Sequence, residues 1–84
     1  MRAQRETSDH QEENVANYSP EYPVLAAQDA LDQGLPVHVA ALHESFRHLW
    51  GQVIADIESR GWRLEHWTVS AGTETFAYPV FRRP

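Results

Sequence analysis

Five histidines, seven arginines and a scatter of carboxylates are the groups in this 84-residue chain that can do chemistry. The densest cluster is His43-Glu44-Ser45-Phe46-Arg47-His48. It has the composition of the zinc-binding H-E-x-x-H signature but carries one residue too many. On a helix, His43 and His48 then stand about 140° apart and cannot share one ion. His43 flanks an apolar stripe one turn from Arg47 and Trp50, the setting of a packed, hydrogen-bonded histidine. His48 falls on the solvent side, and His38 falls in the first turn of the same helix, where a solvated ring is the default. His66 sits on an aromatic-rich strand that directs it inward between Trp62, Tyr78 and Phe46. There burial favours the neutral ring and its N–H requires a partner, so it is read as a core histidine. His10 lies in a polar stretch and is read as inert.

Other chemistries leave no trace. No two carboxylates have a spacing that forces them together, and Glu65 is isolated on its strand. The four glycines build neither a phosphate cradle nor a dinucleotide fingerprint. There is no G-x-S-x-G. The absence of cysteine removes disulfides, thiolate metal sites and thiol nucleophiles together. The expectation is a protein that is not an enzyme, with no catalytic residue, metal or cofactor.

A formal charge of −5 argues against broad nucleic-acid binding, because backbone affinity comes from neutralising phosphates. The arginines are dispersed except for Arg82-Arg83, which reads as a solvated chain end. No run approaches the roughly 20 apolar residues of a membrane span. Residues 1 to 14 also lack the apolar core of a secretory signal. A cytoplasmic protein without a membrane role is expected.

These residues need a scaffold. Residues 1 to 17 offer almost nothing to bury and read as a disordered tail. Residues 18 to 84 form one small domain. Tyr18, Tyr22, Val24, Leu25, Ala27, Ala30 and Leu31 recur with helical spacing, which predicts a short helix over 23–33 stopped by Gly34. Pro36 suits a first helical turn. Val39, Leu42, Phe46, Leu49, Val53 and Ile57 then step by threes and fours, predicting one long amphipathic helix to Arg60 with Gly61 as its stop. Glu44 with His48, and Asp56 with Arg60, are i,i+4 neighbours on its outer face.

Beyond Gly61, strands over Trp62–Ser70 and Thr75–Arg83 are joined through Ala71-Gly72-Thr73. A three-residue loop sets Trp62, Leu64, His66 and Thr68 beside Phe76, Tyr78 and Val80, leaving Trp67, Val69 and Phe81 on the other face. A one-residue slip regroups these side chains but still leaves apolar bulk on both sides. That bulk argues for cover on both faces, by the short helix, a second copy or a foreign partner. Pro79 cannot donate a ladder hydrogen bond, so its strand is expected to lie at an edge or carry a bulge.

The run Ile57-Glu58-Ser59-Arg60-Gly61-Trp62-Arg63-Leu64-Glu65-His66, with Ala77-Tyr78-Pro79-Val80-Phe81-Arg82-Arg83, resembles the ending of short uncharacterised actinobacterial and actinophage proteins. In these a helix leads through G-W-x-L into a hairpin closing in F-R-R or F-K-R. A broader domain of unknown function is similar and usually has a strand before its helix, where this chain shows a helical pattern. The resemblance covers about 40 residues, bears on fold, and implies no activity.

The fold class expected is therefore α+β: a disordered N-terminal tail, a short helix, a long amphipathic helix, and a C-terminal antiparallel β-hairpin packed on it. A core of about 65 residues is marginal, and without disulfides or metals self-association is the remaining stabilising device. The leading expectation is an interaction module, a homodimer or a binder of a protein partner, with Trp62, Trp67, Tyr78 and Phe81 as candidate anchors. The alternative is a small-molecule or nucleic-acid binder using the cleft between helix and hairpin, with Arg63, His66 and Arg82 as polar contacts.

Overall fold

The computed structural model describes residues 19–84; the expected tail over residues 1–17, with His10, lies outside them. The described residues form an α+β fold in which two α-helices cover one face of an antiparallel sheet. In chain order the elements are α1 (Glu21–Asp32), β1 (Val37–Val39), β2 (Leu42–His43), a 3-10 helix (Glu44–Leu49), α2 (Trp50–Ser59), β3 (Arg63–Ala71) and β4 (Thr75–Arg82). No helix among the described residues is long and apolar enough to cross a membrane.

Helix α1 starts two residues before the expected boundary, with Pro20 at its N-cap. Its end is a Schellman motif. Gly34 takes φ +76°, its N–H donates to Leu31 O at 3.0 Å, and the Leu35 N–H reaches back to Ala30 O at 3.0 Å. Val24, Ala27 and Ala30 face the core, and the small alanines let the helix lie close.

The long helix expected over residues 36–60 is not formed; only its second half is α-helical. Val37 to His43 run extended beside β4, and Phe46 at φ −121°, ψ 38° breaks the short 3-10 helix. The helical spacing of Val39, Leu42 and Phe46 was a coincidence of two patterns. In strand alternation Ala40 and Leu42 point into the core while Val37 and Val39 point away, and Val39 is indeed 54% exposed. Pairing with an apolar neighbour strand outweighed a local preference that tertiary context routinely overrides. The expected Glu44–His48 pair goes with the unformed half, Glu44 instead accepting from Thr75 N at 3.1 Å; Arg60, at the end of α2, donates to Gln28 Oε1 at 3.1 Å.

Strand β4 is central, a second correction. β1 and β2 pair along one side of it and β3 along the other, all antiparallel. β1 and β3 are therefore parallel to each other with β4 between them, and α2 lies in the connection, as in a split βαβ unit. Pro79, expected at an edge or a bulge, stands in this central strand. Its missing donor falls opposite Ala40, whose N–H still donates to Pro79 O at 3.1 Å, and the ladder is interrupted there between β1 and β2. Strand 37–43 keeps one register across the break: Val39 faces Val80 and Leu42 faces Ala77.

β3 and β4 are joined through residues 72–74, and Ala71 faces Thr75. Near this turn His66, Thr68 and Ser70 share a face with Val80, Tyr78 and Phe76. A register shift at Glu65 then returns Leu64 opposite Phe81. The inner face thus gathers Leu64, Trp67, Val69, Ala77, Pro79 and Phe81, and Leu64 is not grouped with His66 as the sequence suggested. α1 and α2 both pack on this face through Ala27, Ala30, Val53 and Ile57, so the other face carries neither helix.

Helix α2 ends at Gly61, where φ is +119° and the N–H donates to Glu58 O at 3.1 Å. Glu58 then accepts from Leu64 N at 3.0 Å, pinning the helix end to the start of β3. A Cβ on Gly61 would have room, its nearest neighbour being Leu31 Cδ1 at 4.0 Å, so the demand for glycine is one of backbone angle. Gly51, inside α2, has ordinary helical backbone and open space around it. Gly61→Ala is therefore expected to destabilise the fold by about 1 kcal/mol or more, and Gly51→Ala to stabilise it by roughly 0.5–1 kcal/mol. Urea unfolding of both variants against the parent checks the opposite signs.

Candidate interaction surface

Among the described residues, β3 has no strand on its side away from β4. Which backbone groups it offers there follows from the ladder. Pro79 O accepts from Ala40, so the backbone groups of 77, 79 and 81 face β1 and β2, while those of 76, 78 and 80 face β3. Thr68 and Ser70 therefore spend their N–H and C=O on β4, and Trp67, Val69 and Ala71 direct theirs outward.

Residues 66 to 71 carry no Asp, Glu, Lys or Arg. Charge on β3 is confined to Arg63 and Glu65 at the bulged end, where both Glu65 carboxylate oxygens accept from Arg82 Nε at 2.8 Å. A bulge and charges are the usual guards of a sheet edge. Here they guard only its first third.

Side chains flank the open stretch on both faces. On the helix side Trp67 is 44% exposed and Val69 54%. Trp67 meets Trp50 edge to face, with centroids 6.0 Å apart, and Trp50 is itself held by donating Nε1–H to His43 O at 3.0 Å under the Arg47 guanidinium. Trp67 is thus presented from a fixed base. On the uncovered face Tyr78 is 36% exposed, its ring 5.9 Å from that of Phe76.

The sequence-predicted contact residues separate into two groups. Trp62 and Phe81, at 2% and 0% exposure, fill the core of the single chain and offer no anchor. Trp62 donates Nε1–H to Ala27 O at 2.9 Å, and Arg83 lies over its ring while donating to Leu31 O and Leu35 O at the C-terminal end of α1. Arg83 caps a helix, as a cation at that end should. Trp67 and Tyr78 remain accessible, on opposite faces of the sheet. The polar trio does not line a cleft between helix and hairpin, which is occupied by the core. Arg63 is exposed opposite Arg82, and Arg82 is engaged by Glu65. His66, expected in the core, is on the uncovered face, its side chain 62% exposed. The bulge one residue earlier, unsignalled in the sequence, turned it outward.

His43 is the histidine with the densest contacts. Its Nε2 lies 2.7 Å from Glu74 Oε1, while Nδ1 accepts from Ser45 N at 3.1 Å and sits 2.9 Å from Ser45 Oγ. With Nδ1 accepting from an amide, the ring in its neutral form holds its proton at Nε2, toward Glu74. The arrangement has the residue types of a Ser-His-Glu relay, and the sequence reading missed it because Glu74 is 31 positions away. Its geometry is that of a cap: His43 is the N-cap of the 3-10 helix, and its acceptor is spent on the Ser45 amide. Among the described residues no group of three or more His, Cys, Asp or Glu is placed to hold a metal ion.

No family model, curated protein or solved structure matches this chain.

His38, expected in solvent, lies inside the sheet's covered face. Its ring is 5.8 Å from that of Trp62 and 6.5 Å from that of Phe81, and its Nε2 is buried without a hydrogen-bond partner among the described residues. Burial holds this imidazole below its ordinary value of 6.5. Below that value the unfolded chain takes up the proton more readily than the folded one. The contribution of His38 is thus flat above pH 6.5 and turns destabilising as pH falls through that value. Melting curves from about pH 8 to about pH 5.5 are expected to fall more steeply for the parent than for His38→Phe, which keeps the ring contacts and removes the titration.

Proposed function

We propose that this chain is a non-enzymatic interaction module that takes up an extended protein segment along the free edge of β3. The observation that carries this reading is the outward backbone of Trp67, Val69 and Ala71 in a stretch free of charge, between two half-exposed apolar side chains. A sheet edge of this kind binds by main-chain hydrogen bonds, with alternate side chains giving the choice of partner. Trp67 is a rigid aromatic anchor of the type that dominates interface energies. The reading also fits the filling of the space between α2 and the sheet by core side chains, and the capping use of His43. The resemblance of the runs 57–66 and 77–83 to short actinobacterial and actinophage proteins fits it too, since Gly61-Trp62-x-Leu64 serves packing.

The outward N–H of Val69 gives a selective test. Proline there removes a donor to the partner and none to β4, whereas proline at Thr68 removes a bond of the sheet itself. The parent chain is expected to select extended peptides with alternating apolar residues from a random peptide display library. Val69→Pro should keep its far-ultraviolet circular dichroism and select none. Thr68→Pro should lose roughly 1–3 kcal/mol of stability. Peptide selection unchanged by Val69→Pro would show that the edge is not the docking site.

A further inference from the structure

We infer that the segment seated on β3 is β3 of a second copy of this chain, antiparallel, with the two-fold axis passing through Thr68. This rests on the strand-addition reading and specifies its partner. The argument is one of self-complementarity. A two-fold axis at Thr68 sets Trp67 of each chain opposite Val69 of the other, so the half-exposed apolar groups on the helix side of this edge cover one another. An aromatic facing a β-branched residue is among the favourable cross-strand pairs.

The backbone agrees with the same axis. Trp67 and Val69 both point their N–H and C=O outward, so each Trp67–Val69 pair closes as a hydrogen-bonded pair and the Thr68–Thr68 pair as a non-hydrogen-bonded one. Neighbouring axes match less well. An axis at Trp67 sets the Glu65 carboxylate against Val69. An axis at Val69 leaves Trp67 facing Ala71, with little surface to cover it.

Electrostatics points the same way. Each chain carries a formal charge of −5, so two copies repel unless they meet where charge is absent. Residues 66 to 71 are that place. About the Thr68 axis the two Glu65 carboxylates lie six residues apart along the strands, roughly 20 Å, which exceeds the screening length of about 8 Å at physiological salt. The bulge at Glu65 ends regular pairing at His66, and an isologous contact of this kind closes at two copies.

The chain has no cysteine, so one introduced thiol reads the register directly. At a non-hydrogen-bonded antiparallel pair the two Cα atoms stand about 4.5 Å apart, within the span of a disulfide. Thr68→Cys in the full chain, equilibrated in a glutathione redox buffer, is expected to give mainly covalent dimer on a non-reducing gel. Ser70→Cys sets its thiols about 14 Å apart and is expected to give roughly tenfold less. Adding Val69→Pro to Thr68→Cys should abolish the crosslink. Equal crosslinking of the two cysteine variants, or none in Thr68→Cys, overturns the proposed register and self-pairing. If the parent still selects extended peptides in a Val69→Pro-sensitive way, only the identity of the partner fails. If it selects none, the strand-addition reading fails as well.

Discussion

Strand β4 is the constraint on which the structure rests. It contributes Ala77, Pro79 and Phe81 to the covered face, all buried, and it is the strand against which every other strand of the described fold pairs. A single strand with neighbours on both sides, in a chain this short, dictates much of the rest. Residues 37–43 must reach one side and 63–71 the other, and α2 must make the crossing between them. Both helices settle on the face where β4 presents Ala77, Pro79 and Phe81; the opposite face mixes Phe76, Tyr78 and Val80 with Arg63, His66, Thr68 and Arg82.

Polar groups fix the corners of this arrangement. Trp62 Nε1 reaches the Ala27 carbonyl, Arg83 reaches the carbonyls of Leu31 and Leu35, Glu58 holds the Leu64 amide and Glu44 the Thr75 amide. Each ties an end of one element to another, where backbone groups would otherwise have no ladder partner. A typical hydrogen bond contributes only about 1 kcal/mol net. At chain reversals it also selects one geometry over its neighbours. In a domain without disulfides, that selection keeps a marginal core unique.

The same geometry accounts for what could and could not be read from residues alone. α1 was legible because its apolar spacing and Gly34 are local signals, and Gly61 for the same reason. Residues 36–49 were misread because Val39, Leu42 and Phe46 satisfy helical spacing while Ala40 and Leu42 satisfy strand alternation; the choice lay with β4, about 40 positions away. Pro79 suggested an edge, yet a central strand tolerated it at the cost of one ladder bond opposite Ala40. Of the four aromatic anchors expected, Phe81 is core because it shares the covered face of β4 with Ala77 and Pro79, and Trp62 because the bulge at Glu65 returns the alternate residues Leu64 and Trp62 to that face. Trp67 and Tyr78 stayed accessible. Pro79 left residues 62–70 as the strand open to sheet extension, but that its edge stays unpaired depends on which side β1 and β2 chose.

By itself the sequence determined the local features: where helices stop, that two strands follow Gly61, that charge is absent from residues 66 to 71, and that the chain has no cysteine. Only the tertiary structure decided which strand is central, which faces His66 and Trp67 occupy, and which edge is left unpaired. The physical reason is that caps, turns and charge act within a few residues, whereas strand order and register are settled by backbone pairing between segments far apart in the chain. A single bulge is enough to exchange the two faces of a strand.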